Sequence, residues 1–111
     1  MAYDEELAQR IRELLHAEPD VVEKRMFGGL AFLVGGHMAV AASRMGGVMV
    51  HVDGEDRDAF LEEPHTRPME MRGRPTRGWL RVDAEGVETD ADLEPWVVRG
   101  VEYVRSLPPK S

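Results

Sequence analysis

Between residues 21 and 52 the chain is cut into short apolar runs by glycine pairs, Gly28-Gly29 and Gly35-Gly36, and by the Ser43–Gly47 turn. This punctuation constrains the fold more than any other feature. A glycine pair supplies the positive φ angles of a two-residue hairpin, a conformation that residues with a Cβ adopt only with strain. The runs between the turns then read as strands: Val21 to Phe27, Leu30 to Val34, His37 to Ala42 and Val48 to Val52. In the last of these Val48, Val50 and Val52 alternate with Met49 and His51, the period of a strand with one buried face. The expectation is a four-stranded antiparallel meander.

Helices flank it. From Asp4 to Ala17, Leu7, Ile11, Leu14 and Leu15 recur at helical spacing, while Glu6, Arg10, Arg12 and Glu13 occupy the other face. Asp4, Glu5 and Glu6 oppose the macrodipole at its start, and Pro19 stops it. Gly54 to Glu63 reads as a short acidic helix capped by Asp53, with Phe60 and Leu61 as its apolar contacts, and Pro64 closes it. Two extended pieces follow, Pro68 to Met71 and Trp79 to Val82, separated by a turn-rich stretch from Arg72 to Gly78. The last helix aligns Leu93, Trp96, Val97, Val101, Val104 and Leu107, and Pro108-Pro109 ends it. Thr89 and Asp92 compete for its cap; Asp92 is preferred because Pro95 then falls in the first turn, where a missing N–H does no harm. The predicted order, α-β-β-β-β-α-β-β-α, is that of a single α+β domain over residues 1–111, with 108–111 as a tail.

Composition narrows the function classes. Fourteen basic residues against 21 acidic ones give a formal net charge of −7, which argues against bulk nucleic-acid binding. With no cysteine, thiolate metal sites, disulfides and cysteine nucleophiles are excluded. The start, Met-Ala-Tyr-Asp-Glu-Glu, lacks the basic region and apolar core of a signal peptide, and no apolar run approaches the ~20 residues of a membrane helix. The expected setting is the cytoplasm, without membrane attachment.

No catalytic pattern stands out. The intervals between His16, His37, His51 and His65 match no metal-ligand spacing, although His37 and His51 fall on neighbouring strands. Ser43, Ser106 and Ser111 lack a nucleophile-elbow context, and the paired carboxylates read as solvated helix faces. The glycine pairs do not form a phosphate-binding loop. No metal, no cofactor and no enzymatic activity are expected.

Two groups of residues point to binding. The segment Arg67 to Arg81 carries Arg67, Arg72, Arg74, Arg77 and Arg81 against the single acid Glu70, which gives 5 − 1 = +4 within an acidic chain. Arginine forks pair with carboxylate or phosphate and stack on aromatic rings, and Trp79 lies in the same segment. Internal neutralisation of the chain's own acids, with Glu70 in a structural ion pair, is the competing reading. Strand alternation also prevents all five arginines from facing one way. Separately, Met26, Met38, Met45, Met49, Met69 and Met71 all fall in the sheet region, and flexible thioethers suit either gap filling or an adaptable binding surface.

The sequence also carries a family resemblance. The first helix followed by Glu23-Lys24-Arg25-Met26-Phe27-Gly28-Gly29 and a glycine-rich meander resembles the N-terminal domain of TfoX/Sxy proteins. So do Arg67-Pro68-Met69-Glu70-Met71, the run Gly73-Arg74-Pro75-Thr76-Arg77-Gly78-Trp79, and the closing helix around Leu93 and Trp96. The resemblance covers nearly the whole chain. It implies an α+β fold like that of type III secretion chaperones, an antiparallel sheet flanked by helices, and no catalytic residues. Two-domain members of the family act as regulators of natural competence together with the cyclic-AMP receptor protein. This chain ends at Ser111, without room for their helical C-terminal domain.

Together these readings predict a non-enzymatic protein-interaction module, of a transcriptional or competence-type accessory kind by resemblance. Its partner- or anion-binding residues would be Arg72, Arg74 and Arg77, exposed on or beside the turn, together with Trp79 as an aromatic anchor. Exposed strand edges and methionine faces also make a homodimer an expected assembly. An anionic small-ligand binder or an unrecognised enzyme using the same arginines is the alternative. Weak nucleic-acid binding through Arg67–Arg81 is a further one.

Overall fold

A computed structural model describes residues 4–26, 28–71 and 74–108, with the side chains of residues 70, 71 and 74–77 outside the description. The elements are α1 (Glu5–Leu14), β1 (Val21–Met26), β2 (Gly29–Val34), β3 (His37–Ala42), β4 (Val48–His51), α2 (Gly54–Phe60), β5 (Thr66–Met71), β6 (Arg74–Val82) and α3 (Asp90–Arg105). A short 3-10 turn, Ala84–Val87, joins β6 to α3 and was not legible from the sequence. The fold is α+β, and its strands form one six-stranded antiparallel sheet in the order β1-β2-β3-β4-β6-β5.

The meander forms as its turns dictate. Gly35 and Gly36 hold φ angles of 60° and 87°, the paired left-handed conformation that closes β2 onto β3. Asp4 and Asp53 cap α1 and α2: the Asp4 carboxylate accepts from the Glu6 and Leu7 N–H groups, and that of Asp53 from the N–H of Glu55.

Two expectations need correction. The cap of α3 is Thr89, whose hydroxyl oxygen accepts from the Asp92 N–H at 3.1 Å, and not Asp92. Pro95 therefore stands in the second turn. It is tolerated there because it is exposed, and the one carbonyl deprived of a donor belongs to exposed Ala91. The stretch read as a turn before Trp79 is mostly strand, since β6 begins at Arg74 and pairs with β5 from Met71↔Arg74 onward. Only Trp79 to Val82 of β6 also pair with β4. The rest extends beyond it, so Pro75 removes no hydrogen bond from a central strand.

All three helices lie on one face of the sheet. Leu7, Ile11 and Leu15 of the α1 region and Leu93, Trp96, Val97, Val101 and Val104 of α3 pack with Phe32, Val40, Val48, Val50, Leu80 and Val82 in one core; Phe60 and Leu61 join it from the α2 region. The closest approach is at Gly100. A Cβ there would lie 2.5 Å from the carbonyl oxygen of Ala39 and 3.2 Å from its carbon. Ala39 is itself the extra residue of a β-bulge, where the register passes from Phe32↔Val40 to Leu33↔Met38. The bulge leaves both Ala39 and Val40 buried in the core beneath α3.

Ion pairs fasten the rim of this layer. Arg12 of α1 grips Glu23 of β1 through both guanidinium branches, Nη2 to Oε1 at 2.7 Å, and Arg10 bonds Asp90 at 2.9 Å. The Arg12 hydrogen bonds hold the Glu23 carboxyl below the usual glutamate range, against the opposing effect of partial burial.

Two predictions follow from this packing. Replacing an ordinary helical glycine by alanine stabilises a protein by up to ~1 kcal/mol. Gly100→Ala should instead destabilise by about 1–3 kcal/mol in chemical denaturation, because the added methyl meets backbone. For Glu23, a lowered carboxyl pKa means its contribution is present at neutral pH and lost as pH falls through that lowered value. Glu23→Gln should therefore be less stable than wild type at pH 7, by no more than about 1 kcal/mol for so exposed a pair. The difference should shrink as pH falls below the ordinary glutamate range and vanish below the lowered value.

Candidate functional site

The sheet has a second apolar face, and among the described residues no helix covers it. Ala31, Ala41, Met49 and Met69 are buried on it, and Met26, Leu33, Met38 and Trp79 pack around them half-buried. Strand alternation places them there. In β4, Val48 and Val50 enter the helix-side core while Met49 turns to the other face; in β2, Leu30, Phe32 and Val34 alternate in the same way with Ala31 and Leu33. Val22, opposite Leu33 on the edge strand β1, extends the face and is 59% exposed. An accessible apolar patch made largely of thioethers can reshape itself around another surface.

Cations flank this patch. Lys24 lies opposite Ala31 and so shares its side of the sheet. Arg81 stands opposite both Met49 and Arg67. Two arginines directly opposed across a strand pair repel unless other groups hold them apart. Here Arg67 Nε donates to Asp83 at 2.9 Å, while Arg81 Nη2 donates to the neutral oxygens of Ser43 Oγ and the Gly46 carbonyl, at 3.1 and 3.4 Å. Arg81 thus stands beside the methionines without a carboxylate partner among the described residues. The chain as a whole is acidic, so this is a local reversal of sign.

Trp79 is tied into a three-ring array at the end of β4. Its indole stacks on the His51 imidazole with centroids 4.4 Å apart and planes within 4°, and Tyr103 of α3 meets the same imidazole edge-on at 4.9 Å. His51 Nδ1 donates to the Met38 carbonyl at 2.8 Å, which fixes the ring that Trp79 rests on. Trp79 is therefore a half-buried ring held in a fixed orientation beside the methionines.

Of the other residues expected to bind, Arg72 lies outside the described residues. Arg74 and Arg77 lie on β6, with side chains outside the description, as are those of Glu70 and Met71. Of the methionines, Met26, Met38, Met49 and Met69 come together, while Met45 stands apart in the β3–β4 turn, 76% exposed. His37 and His51 do not converge. The first bonds the Pro108 carbonyl and the second that of Met38, and no metal-holding cluster occurs among the described residues. Sequence reasoning passed over Ala31, Leu33 and Ala41. Their signal was present in β2, where Gly29–Val34 is apolar at every position, the mark of a strand covered on both faces.

A recess of about 350 Å³ on the helix side is lined by Glu63, Glu85 and Asp92 together with His65 and Trp96. Three carboxylates make it unsuited to an anion.

A family model for the TfoX N-terminal domain matches residues 13–104, from the last residues of α1 almost to the end of α3. The chain belongs to that family. No curated protein and no solved structure matches it significantly. The family match spans every strand of the sheet, so both faces described above belong to the TfoX N-terminal domain itself. None of its described helices is long and apolar enough to cross a membrane.

The two kinds of methionine on this face should separate by stability. Met49→Ala, at a site 4% exposed, should cost about 2–5 kcal/mol in denaturant unfolding. Met38→Ser, at a half-buried site, should stay within about 1 kcal/mol of wild type.

Proposed function

We propose that this domain is a non-enzymatic protein-interaction module, a cytoplasmic regulatory accessory, which docks a partner protein on the helix-free face of its sheet. The observation that carries the reading is the pairing of Met26, Leu33, Met38 and Trp79, all accessible and apolar, with cations of the same face in an otherwise acidic molecule. Apolar contact supplies affinity on such a face, and the flanking charge selects the partner. Lys24 and Arg81 favour a segment that combines apolar side chains with carboxylates. Membership of the TfoX N-terminal domain family supports a regulatory setting. The net charge of −7 favours a protein over a nucleic acid as the partner.

Site-specific cross-linking tests this reading. A photoreactive residue placed at Leu33 or Met38 should capture a discrete heterologous protein in living cells. The same residue at Val98, an exposed apolar position on α3, should not. Equal capture from all three positions, or capture from Val98 alone, would overturn the assignment of the face.

A further inference from the structure

The two edges of the sheet are unequal. β5 forms one edge and carries Pro68 and a register shift between Pro68 and Glu70, both of which obstruct the addition of another strand. β1 forms the other edge. It runs from Val21 to Met26 without a proline, and its register against β2 is unbroken. Val22, Glu23, Lys24 and Arg25 are all exposed. The Gly35 N–H donates to the Asp20 carbonyl just before the strand. The two-residue repeat of an antiparallel ladder then turns Asp20, Val22, Lys24 and Met26 toward β2. Val21, Glu23 and Arg25 are left with backbone N–H and C=O groups pointing outward. That is an open template for pairing.

The side chains of β1 specify what would pair with it. Residues opposed across an antiparallel pair share a face, so a two-fold axis perpendicular to the sheet must pass through a residue and its own copy. An axis through Glu23 would oppose two glutamates and set Val22 against Lys24. An axis through Lys24 instead sets Val22 against Met26 of the second copy on the methionine face. On the helix face it sets Glu23 against Arg25 of the second copy. Arg25 makes no ion pair among the described residues, and the Glu23 carboxylate, already held by Arg12, has further acceptor capacity. The only unfavourable contact in this register is Lys24 against itself.

We infer that β1 is a homodimerisation edge at which two copies pair antiparallel about Lys24. The pairing makes one continuous sheet of twelve strands, six from each copy. The axis is perpendicular to the sheet, so the two methionine faces lie on the same side and form a doubled docking surface. The inference goes beyond the proposed partner docking: it rests on the outward-facing backbone of β1, which borders that face, and sedimentation reads it separately from cross-linking at Leu33 and Met38 on β2 and β3.

Sedimentation velocity across micromolar to submillimolar concentrations tests it, with circular dichroism to confirm that each variant is folded. Wild type should show a concentration-dependent monomer–dimer equilibrium. Glu23→Arg and Arg25→Glu should each weaken it about tenfold or more, because two symmetry-related pairs turn repulsive, and the double reversal Glu23→Arg/Arg25→Glu should restore it. Lys24→Thr should tighten it. A wild-type monomer throughout the range would overturn the inference and leave the edge to a strand from another protein. A dimer indifferent to these four variants would overturn it in favour of a different interface.

Discussion

The contact of α3 with the bulge in β3 fixes the rest of the architecture. Gly100 brings the helix backbone so close to Ala39 that no side chain fits between them, and the bulge at Ala39 leaves two consecutive residues of β3 buried beneath the helix. A helix seated this tightly commits one face of the sheet. α1 then packs against both α3 and the sheet, the α2 region contributes Phe60 and Leu61, and the guanidinium of Arg99 lies over the Phe60 and Trp96 rings at 4.5 and 4.4 Å. The helices pack on the side where Val34, Val40, Val48, Val50, Leu80 and Val82 form the core.

That allocation explains the chemistry of the opposite face. A sheet in water with one helical layer ordinarily shows polar residues on its second side. Here β2, β3 and β4 place Ala31, Leu33, Ala41 and Met49 there instead, and Met69 and Trp79 arrive from β5 and β6. Buried alanines beside long thioethers give an accessible apolar surface that can deform. Its cations are fixed from below: Ser43 and the Gly46 carbonyl hold Arg81, and Asp83 holds Arg67. The edge strand β1 contributes Val22, Lys24 and Met26 to the same side, so the proposed docking face and the proposed pairing edge are continuous.

The local elements were legible because short-range signals decide them. The Gly35-Gly36 pair sets its hairpin, Asp53 caps α2, and β3 runs from His37 to Ala42 as its sequence predicts. The features that escaped are set by distant partners. Thr89 and Asp92 are both competent caps, and the 3-10 turn before Thr89 decides between them. Glycines and prolines from Gly73 to Gly78 signal a turn, yet pairing with β5 extends residues 74–78 into strand, which no local preference could announce. Trp79 stood out in the sequence from its arginine-rich surroundings, and the sheet places it half-buried beside the methionines. The methionine face was visible only as a clustering in sequence, because two facts were needed to assemble it: that β6 pairs with β4, and that every helix lies on the other side.

The most direct test of the central claim is a methyl NMR spectrum of the methionine-labelled domain, recorded in buffer and in an extract of its own cells. Met45, exposed in a turn, provides an internal control within the same molecule. A docking face on the helix-free side predicts that Met26, Met38, Met49 and Met69 shift or broaden in extract while Met45 stays sharp. Unchanged resonances for those four, or a change confined to Met45, would contradict it.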